Sequence, residues 1–318
     1  MAERHPESGV NILNQKEEEA LVPIRTLARL TGVNAVTIRA WERRYGLLQP
    51  VRTPKGHRLY RQSDIDLIQR VVELLGRGIA ISQVKVHLAA TKSTSNAQEN
   101  VVVEVGPWQQ VKQRFINAIV RFDVSALDGV YNEVLSLYPV DVVTEKLILP
   151  LLQTLGSRWA QEEGSIAEEH FFGTYLRNKL GARFHHHPIS ASAPKLLAAC
   201  LPGEYHEIGL LLFSLAALNR GWHVILLGAN TPLRELVIAQ QRSGAMAIVV
   251  SGSLTTDASS LQEDIAALVA SVNVPVFVGG HVAVREHDAI VKGGAHPLGT
   301  HLAQALTRID AVVGTKSP

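Results

Sequence analysis

Cysteine is almost missing from this 318-residue chain: Cys200 stands alone, so no disulfide can form within it. A chain this long without a disulfide framework reads as cytoplasmic, and metal sites built from several thiolates are excluded. Aromatic residues make up 5% and methionine occurs twice, yet hydrophobic residues reach 46% against 19% charged, which is ample for a buried core. No apolar run approaches the roughly 18–20 residues that a membrane helix needs, so no membrane partner is expected. The first twenty residues carry charges throughout and no apolar stretch. They read as a disordered leader, neither signal peptide nor anchor.

Charge is present but unevenly placed. Residues 21–70 hold ten Lys or Arg against three acids (Glu42, Asp64 and Asp66), an excess of seven. Against a total of +2, the rest of the chain must then carry −5. A basic head on a mildly acidic body is the electrostatic footprint of nucleic-acid binding.

Three segments follow from the patterning. Residues 21–88 are helical with one Pro/Gly-rich interruption. A linker at 89–105 contains TKSTSNAQEN, which is small and polar with no face to bury. Residues 106–187 carry apolar positions at helical spacing, in four helices' worth of pattern. From 194 to 318 the period changes. Short apolar runs KLLAAC (195–200), HVILLG (223–228), AIVVSG (247–252) and PVFVGG (275–280) alternate with helical stretches. Strands apolar on both faces and separated by helices indicate a parallel sheet covered on both sides. The expected architecture is multi-domain: an all-α winged helix-turn-helix head, a four-helix bundle, and a flavodoxin-like, Rossmann-type α/β domain. Ligands of that last fold sit at the carboxyl ends of strands near the topological switch point.

In the head, VPIRTLARLTGVNAVTIRAWERRYGLL gives a helix, a turn at Thr31-Gly32-Val33 and a second helix. Ile24, Leu27, Ala28, Val33, Val36, Ile38 and Trp41 are the expected small core. Thr37, Arg39, Arg43, Arg44 and Tyr45 are left to face a major groove. Pro54, Lys55 and Gly56 set a turn. Lys55, His57, Arg58 and Arg61 then decorate a hairpin that can track phosphates, with Tyr60 beside them. Over about 50 residues, including Arg39-Ala40-Trp41-Glu42 and Gly56-His57-Arg58-Leu59-Tyr60, this head resembles the MerR family. The resemblance implies double-stranded promoter DNA as partner, and a homo-oligomer, dimer or tetramer.

After the first α/β strand comes Leu201-Pro202-Gly203-Glu204-Tyr205-His206-Glu207-Ile208-Gly209. This places a histidine at a strand's carboxyl end, and a glycine where a bulky planar ligand can approach closely. The segment resembles the (D/E)-x-H-x-x-G motif of the cobalamin-binding fold. By that resemblance His206 is the lower cobalt ligand, and Glu204 orients it by analogy with metal-bound imidazoles elsewhere. The family's Ser-x-Leu element falls at Ser251-Gly252-Ser253-Leu254; Ser251 fits by position, and Ser253-Leu254 sets the leucine one residue late. Gly279-Gly280 supplies the family's glycine pair.

The helical segment adds Trp159 and, nine residues on, Glu169-His170, with Ser165 and Glu168 at capping-box spacing. This resembles the W-x9-E-H signature of the light-responsive, cobalamin-dependent MerR-type regulators, the CarH/LitR group. The resemblance implies a bundle that caps the cofactor's upper face. Trp159 shields the 5′-deoxyadenosyl group, with Ile166 lining the same pocket. Glu169 hydrogen-bonds the adenosyl group, and His170 takes the vacated cobalt position after illumination. His185-His186-His187 reads as a solvated helix terminus, since consecutive helical side chains diverge.

The expected function is a transcriptional regulator, a repressor by resemblance, and not an enzyme. Adenosylcobalamin is its expected chromophore, with methyl- and hydroxocobalamin left open. Photolysis is expected to change oligomerisation and release DNA. Two alternatives remain: a MerR-type regulator sensing a cobalamin form or a partner protein without light, and a corrinoid-dependent methyltransferase module, which the DNA-reading head disfavours.

Overall fold

The computed structural model describes residues 21–90, 107–160, 164–186, 190–253 and 257–314. The expected leader, most of the linker, Leu254, His187 and the side chain of Trp159 lie outside the described residues. The chain divides into two units: Met1–Val102 with Leu135–Pro139, and Val103–Val134 with Val140–Pro318.

The first unit opens with β1 (Val22–Pro23), α1 (Ile24–Thr31) and α2 (Ala35–Ala40), the last running on through a π-helical turn at Trp41–Tyr45. Gly32 closes α1 in the left-handed region, and the Asn34 side chain caps α2 by accepting from the Val36 N–H at 2.9 Å. β2 (Val51–Arg52) and β3 (Arg58–Tyr60) form the wing, in a three-stranded antiparallel sheet of order β1-β3-β2. α3 (Gln62–Gly76) and α4 (Ile81–Ala90) follow.

Helical phase corrects two expectations here and strand alternation a third. Counting from Val33, the buried stripe passes through Thr37, Ile38 and Trp41, so Thr37 is 1% exposed and Val36 is 55% exposed. The expected placement, Val36 in the core and Thr37 at the groove, is reversed. Thr37 donates its hydroxyl to the Leu135 carbonyl at 3.3 Å, and the Trp41 indole donates to the Leu137 carbonyl at 2.8 Å. Both acceptors lie in a helix's last turn, where carbonyls lack intrahelical partners. Tyr60, expected at the DNA surface, is fully buried instead, because alternation along β3 turns it inward.

The second unit starts with α5 (Pro107–Val120) and α6 (Val124–Leu137), the latter ending in the first unit. A long helical run comprises α7 (Val140–Val143), a π segment (Thr144–Ile148) and α8 (Leu149–Ala160). α9 (Ile166–His185) completes a four-helix bundle, as the pattern indicated. Phe115, Ile119, Leu147, Leu151, Phe172 and Leu176 are buried in it, and the Phe115 and Phe172 rings meet edge-on at 6.1 Å. Ser165 caps α9, accepting the Glu168 N–H at 3.2 Å.

Parallel strands β4 (Lys195–Cys200), β5 (His223–Gly228), β6 (Ala247–Ser251), β7 (Val276–Gly279) and β8 (His296–Gly299) make one sheet in the order β5-β4-β6-β7-β8. The helices of this domain are α10 (Ile208–Asn219), α11 (Leu233–Ser243), α12 (Ala258–Ser271), α13 (His281–Arg285), α14 (His287–Lys292) and α15 (Leu302–Val313). This is the flavodoxin-like order, with the switch point at β4, which pairs on both sides. Four strands fall where the apolar runs lie. The fifth, HPLG, was not separable in sequence, because Pro297 interrupts its signal. Proline is tolerated there because β8 is an edge strand.

Candidate cobalamin site and DNA interface

The loop between β4 and α10 leaves the sheet at its switch point and is pinned by hydrogen bonds. The Glu204 N–H donates to the Leu201 carbonyl at 3.0 Å and the Asn230 N–H to the Glu204 carbonyl at 2.8 Å. The Gly203 N–H donates to the Asn230 side-chain oxygen at 2.8 Å. Asn230 itself sits at φ 47°, a left-handed conformation that asparagine tolerates. Sequence reasoning missed Asn230; a short polar residue between the end of β5 and a Thr-Pro pair was the available signal.

Within this frame Glu204 is buried and saturated with donors. Its Oε1 accepts from the His206 backbone N–H at 2.7 Å and faces His206 Nδ1 at 2.8 Å, and its Oε2 accepts from the Ser253 N–H at 2.5 Å. Burial raises the carboxyl's pKa, but the bonds from His206 and Ser253 outweigh it and hold the group below the usual glutamate range. A charged carboxylate can only accept, so Nδ1 carries the imidazole proton and the Nε2 lone pair is left for a metal. His206 is 67% exposed, and its Nε2 lies 4.0 Å from Glu169 Oε1 on α9. Of the two serines, Ser253 reaches Glu204 through its backbone N–H, and Ser251 ends β6.

The glycines divide into two kinds. A Cβ on Gly209 or Gly279 would meet nothing within 4 Å, so both leave open space. Gly280 is different: its φ is +85°, and a Cβ there would fall 2.5 Å from the Gly252 carbonyl oxygen. Its role is to let two backbones approach. Cys200, at the end of β4, is fully buried and its thiol is pushed up to about 12, first by burial and then by Glu204 and Glu207. It takes no part in the site.

Among the other expected residues, His170 and Ile166 are exposed in the first turn of α9, on the element that brings Glu169 to His206. Glu168 turns away toward Arg158, 3.9 Å distant. The pattern gave no sign of Arg177, whose guanidinium on α9 pairs with Glu207 at 2.5 Å, one residue beyond His206. His185 and His186 are exposed at the end of α9. Among the described residues no group of three or more His, Cys, Asp or Glu is placed to hold a metal ion. A cobalt at His206 would take its remaining ligands from a corrin ring. The donor set, with one oriented imidazole and open space over Gly209 and Gly279, fits that group.

In the head, Arg39, Arg43, Arg44, Lys55 and His57 are exposed and Tyr45 is half-buried. A cleft of about 290 Å³ runs between Arg25, Arg39, His57 and Arg58. Arg58 is not a free phosphate clamp. Its Nε bonds Glu42 at 2.7 Å, and Arg52 lies 3.6 Å from the same carboxylate, so Glu42 ties the wing to the second helix. Among the described residues Arg43 has no such tether. Arg43→Ala is expected to weaken operator binding about tenfold or more and to make its salt dependence shallower by about one unit. Gel-shift titrations at several salt concentrations measure both, and an unchanged affinity and slope would contradict the placement.

Comparison with known proteins bears on this geometry directly. Residues 22–91 match the MerR HTH family regulatory protein model, and residues 111–183 and 194–307 each match a B12 binding domain model. The HTH-type transcriptional repressor CarH of Myxococcus xanthus is 30% identical over 301 residues, covering 92% of this chain and 98% of that protein. The chain belongs to the B12-binding MerR-type regulators. It is a transcriptional regulator and not an enzyme. The repressor CarA of the same organism is 31% identical over 278 residues, covering 86% of the regulator described here and 91% of its own length. The bundle and α/β domain of the regulator also share their fold with the Methanosarcina barkeri monomethylamine corrinoid protein, at a TM-score of 0.51 and 18% identity, covering 64% and 99% of the two chains. No described helix of the regulator is long and apolar enough to cross a membrane.

Proposed function

We propose that this regulator is a cytoplasmic, light-sensing repressor that holds adenosylcobalamin between α9 and the loop after β4. The observation that carries the reading is the Glu204–His206 pair, which presents Nε2 toward Glu169 across the junction of bundle and α/β domain. Bound there, adenosylcobalamin supplies a cobalt–carbon bond that light cleaves. His206 would hold the cobalt through Nε2, with its ring fixed by Glu204. Glu169 and Trp159 would hold the adenosyl group, and His170, one residue along α9, would be a further imidazole within reach of the cobalt.

The 4.0 Å between Glu169 and His206 is narrower than a planar ring needs, since contact on each face takes about 3.5–4.0 Å. Binding must therefore displace the Glu169 side chain or part α9 from the loop, the latter against the Arg177–Glu207 pair. Loss of the adenosyl contacts would free α9 to shift against the retained ring, a two-state element biased by its ligand. In darkness a homo-oligomer, dimer or tetramer, would bind promoter DNA; illumination would dissolve it.

The test is an absorption spectrum with a sedimentation mass, taken on the chain mixed in darkness with adenosylcobalamin and again after green light. The reading expects a changed spectrum and a smaller mass. A stable dark complex whose mass ignores light would instead favour a sensor of cobalamin level.

A further inference from the structure

Val36 has no structural employment. It is 55% exposed on the second residue of α2, although a β-branched residue on an open helix face is a poor helix former and adds nothing to the core. Its position is fixed, because Asn34 accepts its N–H at 2.9 Å and the Asn34 carbonyl takes the Ile38 N–H at 3.0 Å. Its conformation is fixed too, since helical valine keeps about 90% of its population in one χ1 rotamer.

The neighbours of Val36 say what the face is for. Arg39 and Arg43 stand three and seven residues on, on the same exposed stripe, while Val33, Thr37, Ile38 and Trp41 occupy the buried one. An aliphatic side chain framed by two guanidiniums, at the N-terminal end of a recognition helix, meets base edges rather than protein. In the major groove only one base-edge group rewards a side chain without hydrogen-bonding atoms, the C5-methyl of thymine. We infer that Val36 is a specificity-determining residue that reads a thymine methyl in each half-site. The inference rests on the head's being a DNA-binding unit.

The full chain, Val36→Ala and Val36→Thr, each with adenosylcobalamin in darkness and each without cofactor, are taken through selection on a random duplex library. A selected site is then resynthesised with uracil replacing each thymine in turn. One thymine per half-site is expected to lose about fourfold in affinity on removal of its methyl, the worth of one buried carbon. At that position 5-methylcytosine should bind about fourfold better than cytosine. Val36→Ala should bind both members of each pair equally, and Val36→Thr, which keeps one methyl, should retain part of the difference. Selection by the native chain with no methyl-sensitive thymine, or sensitivity that persists in Val36→Ala, overturns the role of Val36 alone. A native chain that enriches no sequence overturns the DNA-binding reading together with it.

Discussion

His206→Ala is expected to bind adenosylcobalamin about 100-fold more weakly than the native chain, or worse. Residues that merely orient a metal-bound imidazole are worth about 10–100-fold in metal affinity, so the ligand itself stands at the top of that range. The geometry makes the effect specific. Glu204 anchors Nδ1 at 2.8 Å and is itself fixed by the Ser253 N–H, so no other imidazole in the described site can replace His206 on the same anchor. Glu204→Gln separates orientation from ligation. It keeps an oxygen acceptor and removes the charge, and should fall within the 10–100-fold band. Titration of cofactor absorbance in darkness measures both variants. Native affinity in His206→Ala would mean the cobalt is not held from this loop.

Gly280→Ala is expected to destabilise the α/β domain by about 3 kcal/mol or more. At φ 85° and ψ −171° the backbone lies in a region that is essentially glycine's alone, where a side chain costs about 1–3 kcal/mol in strain. The new Cβ would also stand 2.5 Å from the Gly252 carbonyl, which already accepts the Val282 N–H at 3.1 Å and cannot easily retreat. With about 2–8 °C lost per kcal/mol in domains of this size range, thermal unfolding followed by circular dichroism should shift by about 6 °C or more. Gly279→Ala is the contrast: a Cβ there meets nothing, so stability should hold while cofactor affinity falls. Equal melting of the two variants would contradict the division of labour between the glycines.

The sequence revealed this architecture wherever the burial pattern was strong. KLLAAC and HVILLG became strands over those same residues because each is apolar on both faces. HPLG escaped because an edge strand needs neither length nor continuous hydrophobicity. In the head the composition of the recognition helix was readable, but its rotation was not. Whether Val36 or Thr37 faces inward depends on where Asn34 starts the helix and on the Leu135 carbonyl, which lies 98 residues away. Tyr60 was misplaced for a related reason, since an aromatic with a hydroxyl suits a DNA surface and a small core equally well. In the cobalamin site, His206 and Glu204 stood out as a spaced motif. Asn230 and Arg177 did not, because they act through contacts that only the fold brings together.

The central claim is that the state of a cobalamin at His206 governs DNA binding by the head. Its most direct test is the affinity of the full chain for its own promoter, measured by gel shift in darkness without cofactor, with adenosylcobalamin, and with adenosylcobalamin after green light. Tight binding is expected only in the second condition, with release on illumination. Equal affinity in all three would contradict it.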